Sequence, residues 1–250
     1  MISDPTTRIA LSPNRYTDGN RNVDWIVVHT QQGRGKARDL VPYLQNPAPG
    51  GNPNAAVSYN AVVDDVETVL VVPWGDSPWS AMNANRRADH IVLAGSFVEW
   101  TPPKWVETDA SDGLNEDAML TCAAVLVAWR CQQRGIPMEY VGTRGKGPLP
   151  ADRGIVGHAD FGKWGGGHTD PEPNFPWTEF IRRVRAAAAI AGGLMALTPE
   201  QDIKAQLTGS PEPGKYPGWP QLGSRTLVDA VAALCAKNGV SGCYDPKEKK

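Results

Sequence analysis

Residues 157–177 read GHADFGKWGGGHTDPEPNFPW. Gly165, Gly166 and Gly167 offer no side chain to pack, and Pro171, Pro173 and Pro176 fix the backbone and remove donors. Almost none of this stretch is expected to be regular structure. A loop so restricted is costly to order unless it holds something in place. It contains two of the four histidines in the 250-residue chain, His158 and His168, and it carries the pair Asp170–Pro171. Whatever the chain folds into must seat this loop against a rigid framework.

The framework is legible upstream. Residues 24–29 (DWIVVH) form a near-continuous apolar run of β-formers, the pattern of a buried central strand. His29 stands at its C-terminal end, where α/β sheets place functional groups. Residues 154–158 predict a second short strand, again ending in a histidine. If the two strands are neighbours, about 4.8 Å apart, their imidazoles can converge on one ion. Asp170 then arrives from the loop, its swing limited by Pro171. Two imidazoles and a carboxylate suit zinc, which in catalytic sites takes three protein ligands and leaves a fourth place for water. A single histidine is more often a packed or hydrogen-bonded residue than a ligand. Here three of only four, His29, His158 and His168, fall in the proposed site, which reverses that weighting.

The remaining pattern predicts an α/β domain. An edge strand is expected at 8–11, a helix at 36–45, strands at 57–63, 67–73 and 91–94, a loop with a short helix at 74–89 and a loop at 97–112. Asn115 reads as the N-cap of a helix running to Arg134, where Gly135 and Pro137 stop it. A further helix spans 178–191. Gly192–Gly193 marks a boundary between a catalytic domain, 1–191, and a linker with a small helical segment, 192–250. In that segment Thr198 and Ser224 are the expected helix starts, and Leu227, Val231 and Leu234 follow helical spacing. A net charge of −2 gives no electrostatic case for nucleic acid or an anionic membrane. No signal-peptide pattern opens the sequence, and no run of about 18 apolar residues occurs. Four cysteines are too few to staple a fold. Cys122 and Cys131 lie on opposite faces of one helix, and Cys235 and Cys243 are read as buried thiols with a pairing left open.

The segments WIVVHT, VSYNAVVDD and GHADFGKWGGGHTDPEPNFPW together resemble the zinc-dependent N-acetylmuramoyl-L-alanine amidases of the phage lysozyme and peptidoglycan-recognition-protein fold, the type 2 amidases. The resemblance extends to endolysins of phages infecting mycobacteria and related actinobacteria, and GWPQLGSRTLVDAVAAL is similar to segments of such lysins. It implies a central mixed β-sheet flanked by helices. It implies Zn2+ as cofactor, with His29, His158 and Asp170 as ligands, and zinc-activated water cleaving the bond between N-acetylmuramic acid and L-alanine of peptidoglycan. Tyr59, in the strand after the first helix, matches a tyrosine near the metal. His168 stands where many relatives carry lysine. Both are expected to donate to the developing oxyanion. Histidine titrates near about 6.5 where lysine stays charged, so activity is expected to fall at lower pH than in a lysine-bearing relative, which a pH–rate profile beside His168→Lys would test. The implied protein is a monomer that meets peptidoglycan, neither binds nucleic acid nor inserts in a membrane, is made in a host cytoplasm, and reaches the wall through a membrane pore. Two other classes fit the same residues: a non-catalytic peptidoglycan-binding module, and a zinc peptidase cutting within the stem peptide.

Trp74, Trp79, Trp100, Trp105 and Trp164 fall in loops, where packing and sugar stacking weigh equally. Lys36, Arg38, Arg86 and Arg87 read as solvated charge that could instead meet stem-peptide carboxylates. His90 has no motif around it and reads as structural.

Overall fold

The computed structural model describes residues 2–19, 21–144, 146–147, 149–191, 207, 222, 225–243 and 245. The chain divides into two compact units, Met1–Gly192 and Gly193–Lys250. In the first unit the strands are β1 (Arg8–Ile9), β2 (Arg15–Tyr16), β3 (Trp25–Thr30), β4 (Ala61–Val63), β5 (Thr68–Leu70), β6 (Ser77–Pro78), β7 (Ala88–Leu93) and β8 (Gly154–Gly157). The helices are α1 (Ala37–Leu44), α2 (Glu116–Arg134) and α3 (Trp177–Ala191).

Six strands make one mixed sheet in the order β1-β5-β4-β7-β3-β8, and β2 pairs with β6 apart from it. β4 and β5 are antiparallel; the other neighbours in the large sheet are parallel. β3, with all six residues buried, lies between β7 and β8. Side chains alternate across a strand, and this divides the sheet cleanly. Ile26, Val28, Ile91, Leu93 and Ile155 face α2 and α3 in the larger core, with Trp105 and Phe180 fully buried among them. Trp25, Val27, Ala88 and Val156 face the opposite side, packing on Phe161, and Val92 on that side packs with α1. His29 and His90 share this second face.

Local chemistry explains the helix ends. The Asn115 side chain accepts from Ala118 N–H at 2.9 Å, Glu116 and Asp117 sit in the positive first turn, and Gly135 closes α2 in the left-handed conformation (φ 59°). A buried ion cluster then ties α2 to β7. Asp89 takes the guanidinium of Arg21 at 2.7 Å on one oxygen, and those of Arg130 at 2.7 Å and Arg134 at 3.2 Å on the other. This anchors the strand on which the next residue is His90.

Several elements differ from the sequence reading. The strands expected at 57–63 and 67–73 shorten to β4 and β5, so Tyr59 stands before the strand rather than in it. The stretch expected at 91–94 begins earlier, at Ala88, and contains His90. β8 stops at Gly157, one residue short of the expected strand end, and His158 opens a 3-10 segment, His158–Gly165, where almost no regular structure was expected. That segment is interrupted at Gly162, whose φ of 49° and ψ of −138° are outside the helical region. In the second unit the helix α4 (Leu227–Lys237) is capped by Thr226, whose side chain accepts from Asp229 N–H at 3.1 Å. Ser224 and the start expected at Thr198 lie outside the described residues. Cys122, Cys131, Cys235 and Cys243 are free thiols, and only Cys131 is buried. Among the described residues no helix is long and apolar enough to cross a membrane.

Candidate metal centre

β3 and β8 are parallel neighbours with Val28 opposite Gly157. The residues that follow, His29 still within β3 and His158 just past β8, therefore stand side by side, with ring centroids 4.7 Å apart. The 3-10 segment that starts at His158 curls back so that the Gly165 carbonyl lies 2.8 Å from His158 Nε2. A carbonyl only accepts, so the neutral ring carries its hydrogen on Nε2 and its lone pair on Nδ1.

Asp170 is brought in by backbone contacts. Its carbonyl accepts from Ala159 N–H at 2.8 Å. Pro171 packs directly on Gly157: a Cβ there would sit 2.6 Å from Pro171 Cδ and 3.3 Å from Trp177 Cζ2. Only glycine lets the loop come this close to the strand. The carboxylate then bridges the two rings, with Oδ2 3.1 Å from His29 Nδ1 and Oδ1 3.2 Å from His158 Nδ1. Thr30 N–H also donates to Oδ2 at 3.3 Å.

One ligand atom from each of His29, His158 and Asp170 lies within 4.8 Å of the others, and all three residues are buried. Among the described residues this is the one group of three or more His, Cys, Asp or Glu side chains placed to hold a metal ion. Two imidazole nitrogens and a carboxylate oxygen are a zinc donor set. A tetrahedral zinc with bonds of about 2.0–2.1 Å spaces its ligand atoms about 3.4 Å apart, close to the two imidazole–carboxylate separations. The residues fit the ion.

The electrostatics prepare the ligands. Burial pushes the His29 imidazolium down to about 4, against the raising effect of its hydrogen bond to Asp170. Burial opposes ionisation of Asp170, yet the two imidazoles beside it, His158 and His29, outweigh it and hold the carboxyl well below the usual carboxylate range. At neutral pH the centre therefore presents a neutral imidazole at His29 and an ionised carboxylate, the forms that bind a metal.

The centre lies in a cleft of about 830 Å³, with Thr30, Gln31, Gln32, Tyr59, Trp79 and His168 among its walls. Tyr59 stands edge-on to His29, centroids 4.9 Å apart. Burial and then the Asp170 charge push its hydroxyl up, so it remains a donor. His168 is exposed and stacks on His158, centroids 4.7 Å apart and planes 16° from parallel. Of the five residues singled out from the sequence, Tyr59, His158, His168 and Asp170 line the cleft, and His29 is buried against Tyr59 and His158.

The loop tryptophans separate. Trp79 lines the cleft. Trp105 is fully buried against Phe175, Trp100 packs on Trp105, Trp74 packs on Trp129, and Trp164 packs on Trp25 and Phe161. Lys36 pairs with Asp65 at 2.8 Å, Arg87 with Asp24 and Arg86 with Asp18 at 3.5 Å, and Arg38 is exposed; none of the four lines the cleft. His90, read as structural, comes within 3.0 Å of His29 through its Nδ1. The missing signal was the strand boundary: once β7 begins at Ala88, alternation puts His90 on the His29 face.

Residues 19–173 match the family profile described as N-acetylmuramoyl-L-alanine amidase, and residues 185–241 match one described as Rv3766 C-terminal domain. No curated protein is similar enough to count as a relative. Among solved structures, the chain is similar to the Staphylococcus aureus hydrolase AmiA in complex with its ligand, at 16% identity, over 76% of this chain and 88% of that one, with a TM-score of 0.53. At such identity the likeness concerns the fold. A mutant endolysin from Bacillus subtilis is 18% identical over 72% of this chain and 99% of its own, with a TM-score of 0.49. The N-acetylmuramoyl-L-alanine amidase LysC from Clostridium intestinale URNW is 14% identical over 72% and 99%, with a TM-score of 0.46. With the profile covering most of the chain, including β3, β8, the centre and its loop as far as Pro173, the protein belongs to the N-acetylmuramoyl-L-alanine amidase family.

Proposed function

We propose that the protein is a zinc-dependent peptidoglycan hydrolase that cleaves the amide between N-acetylmuramic acid and the L-alanine of the stem peptide, and that it serves a phage as an endolysin. The observation that carries the reading is the convergence of His29, His158 and Asp170 at the cleft, with both outer edges of the carboxylate taken by imidazole nitrogens. Zinc in such a site supplies Lewis acidity and lowers the pKa of a water to about 7.

The protein's own groups do the rest. Tyr59, kept protonated by burial, and His168, held by stacking on His158, are the donors for the carbonyl oxygen as it gains charge. Trp79 and Tyr16 offer aromatic faces to a sugar ring, while Gln31, Gln32 and Asn54 offer amide partners to a peptide. Hydrolysis adds water across the carbonyl carbon and nitrogen, leaving a lactyl carboxylate and a free alanine amine. The endolysin role extends this to a setting, a host cytoplasm from which the protein reaches the wall through a membrane pore; resemblance to mycobacteriophage lysins supports actinobacterial walls as the target.

Incubating the protein with purified cell walls, with and without a chelator, and sequencing the new termini by mass spectrometry tests the reading. Stem peptides starting with free alanine, formed only without chelator, are expected. Cuts inside the stem would make it a peptidase, and binding without products would make it a wall-recognition module.

A further inference from the structure

We infer that His90 is a positioning residue for His29: its Nδ1 accepts a hydrogen bond from His29 Nε2–H and so keeps the His29 Nδ1 lone pair turned toward Asp170 and His158. The inference rests on the metal-amidase reading and concerns how the first ligand is prepared.

The two ring nitrogens are 3.0 Å apart. Both residues are buried to 1% exposure or less, so no bulk water can take the place of either partner. Two neutral imidazoles meeting through nitrogen admit two arrangements, because one must donate and the other accept. In the first, His29 carries its hydrogen on Nε2 and gives it to His90, which leaves Nδ1 free. In the second, His90 donates, and His29 carries its hydrogen on Nδ1, aimed at Asp170. Only the first leaves His29 able to ligate an ion at the three-residue cluster.

His158 meets the same requirement by a different device. Its outer nitrogen faces the Gly165 carbonyl, a fixed acceptor. At His29 the acceptor is a side chain that can itself hold a hydrogen on either nitrogen. A hydrogen on Nε2 leaves Nδ1 as the acceptor. His90 is in turn held by its place on β7: its N–H donates to Asn60 Oδ1 at 2.9 Å, and Asp89 beside it is locked by three arginines. Partners that orient a metal-ligating histidine are worth about 10–100-fold in metal affinity.

The test uses full-length protein, zinc alone, and competition with a chromophoric chelator at neutral pH. His90→Leu, which keeps bulk but cannot accept, is expected to weaken zinc binding about 10–100-fold. His90→Asn, whose side-chain oxygen can accept, is expected to recover most of it. In zinc-loaded wild type, nitrogen-15 histidine spectra should place hydrogen on His29 Nε2 and none on His90 Nδ1, a readout that stands even where a variant fails to fold. Wild-type affinity in His90→Leu, a loss in His90→Asn as large as in His90→Leu, or a hydrogen on His90 Nδ1 in the loaded protein would each overturn the assignment. Wild type that takes up no zinc would overturn both this and the amidase reading; wild type that binds zinc just as His90→Leu does would overturn this alone.

Discussion

Both oxygens of Asp170 face an imidazole nitrogen, so a change there alters two contacts at once. In Asp170→Asn an amide N–H₂ replaces one acceptor and the charge is gone. Zinc content by elemental analysis is expected to drop to background, and wall hydrolysis by more than about 100-fold, beyond the range seen for outer partners. Tyr59→Phe and His168→Ala each remove one donor and leave the ligands in place. Each is expected to lower kcat by about 100–1,000-fold with zinc content unchanged, and normal turnover in either would remove that residue from the chemistry. Burial of His29 also has a consequence for the metal-free protein. Between about pH 6.5, the unfolded value, and about 4, the folded value, unfolded His29 is protonated and folded His29 is not. The unfolded chain binds more protons there, so stability falls as pH falls through that window. Asp170, depressed in the fold, adds a loss of the same sign below the ordinary aspartate range. Melting of chelator-stripped protein across this range should show the decline, with a shallower slope in His29→Asn. His29, His158 and Asp170 were legible singly in the sequence because candidate zinc ligands are chemically distinctive and scarce. His90 was not, because its role comes from a neighbour 61 residues away.

At the scale of elements, the ends of α2 read accurately, whereas the cap of α4 is Thr226 rather than the expected Ser224. Asn115 and Gly135 bound α2 where the sequence placed them, because a cap is a contact between residues three or four apart. Strand ends read poorly. Residues 57–60 have strand-like composition, yet only Ala61–Val63 finds partners on both sides, in β5 and β7; pairing partners rather than propensity decide a strand's length. The glycine at the end of β8 has a specific task that its neighbours do not reveal. Gly157→Ala would drive Cβ into Pro171 and displace the Asp170 loop from the strand. Weaker zinc binding is expected, with the α2–α3 core intact by circular dichroism. Unaltered zinc affinity would show that the loop has room to shift.

For the molecule as a whole, every residue assigned to the centre or the cleft lies in the Met1–Gly192 unit, and the amidase profile ends before α3. A chain ending at Ala191 is therefore expected to hydrolyse a soluble muramyl peptide with unchanged kcat. Loss of turnover would make residues 192–250 part of the catalytic machinery. Its binding to intact walls, compared with full-length protein, measures what those residues add. The α/β class, the principal helices, the three candidate ligands and the loop that delivers the third were legible in the sequence alone, since apolar runs, caps, glycine and proline act over a few residues. The tertiary structure alone decided which face of the sheet bears the centre, which tryptophan reaches the cleft, and which side chain stands behind His29. Those outcomes depend on strand register, and register is set by pairings between segments far apart in the chain.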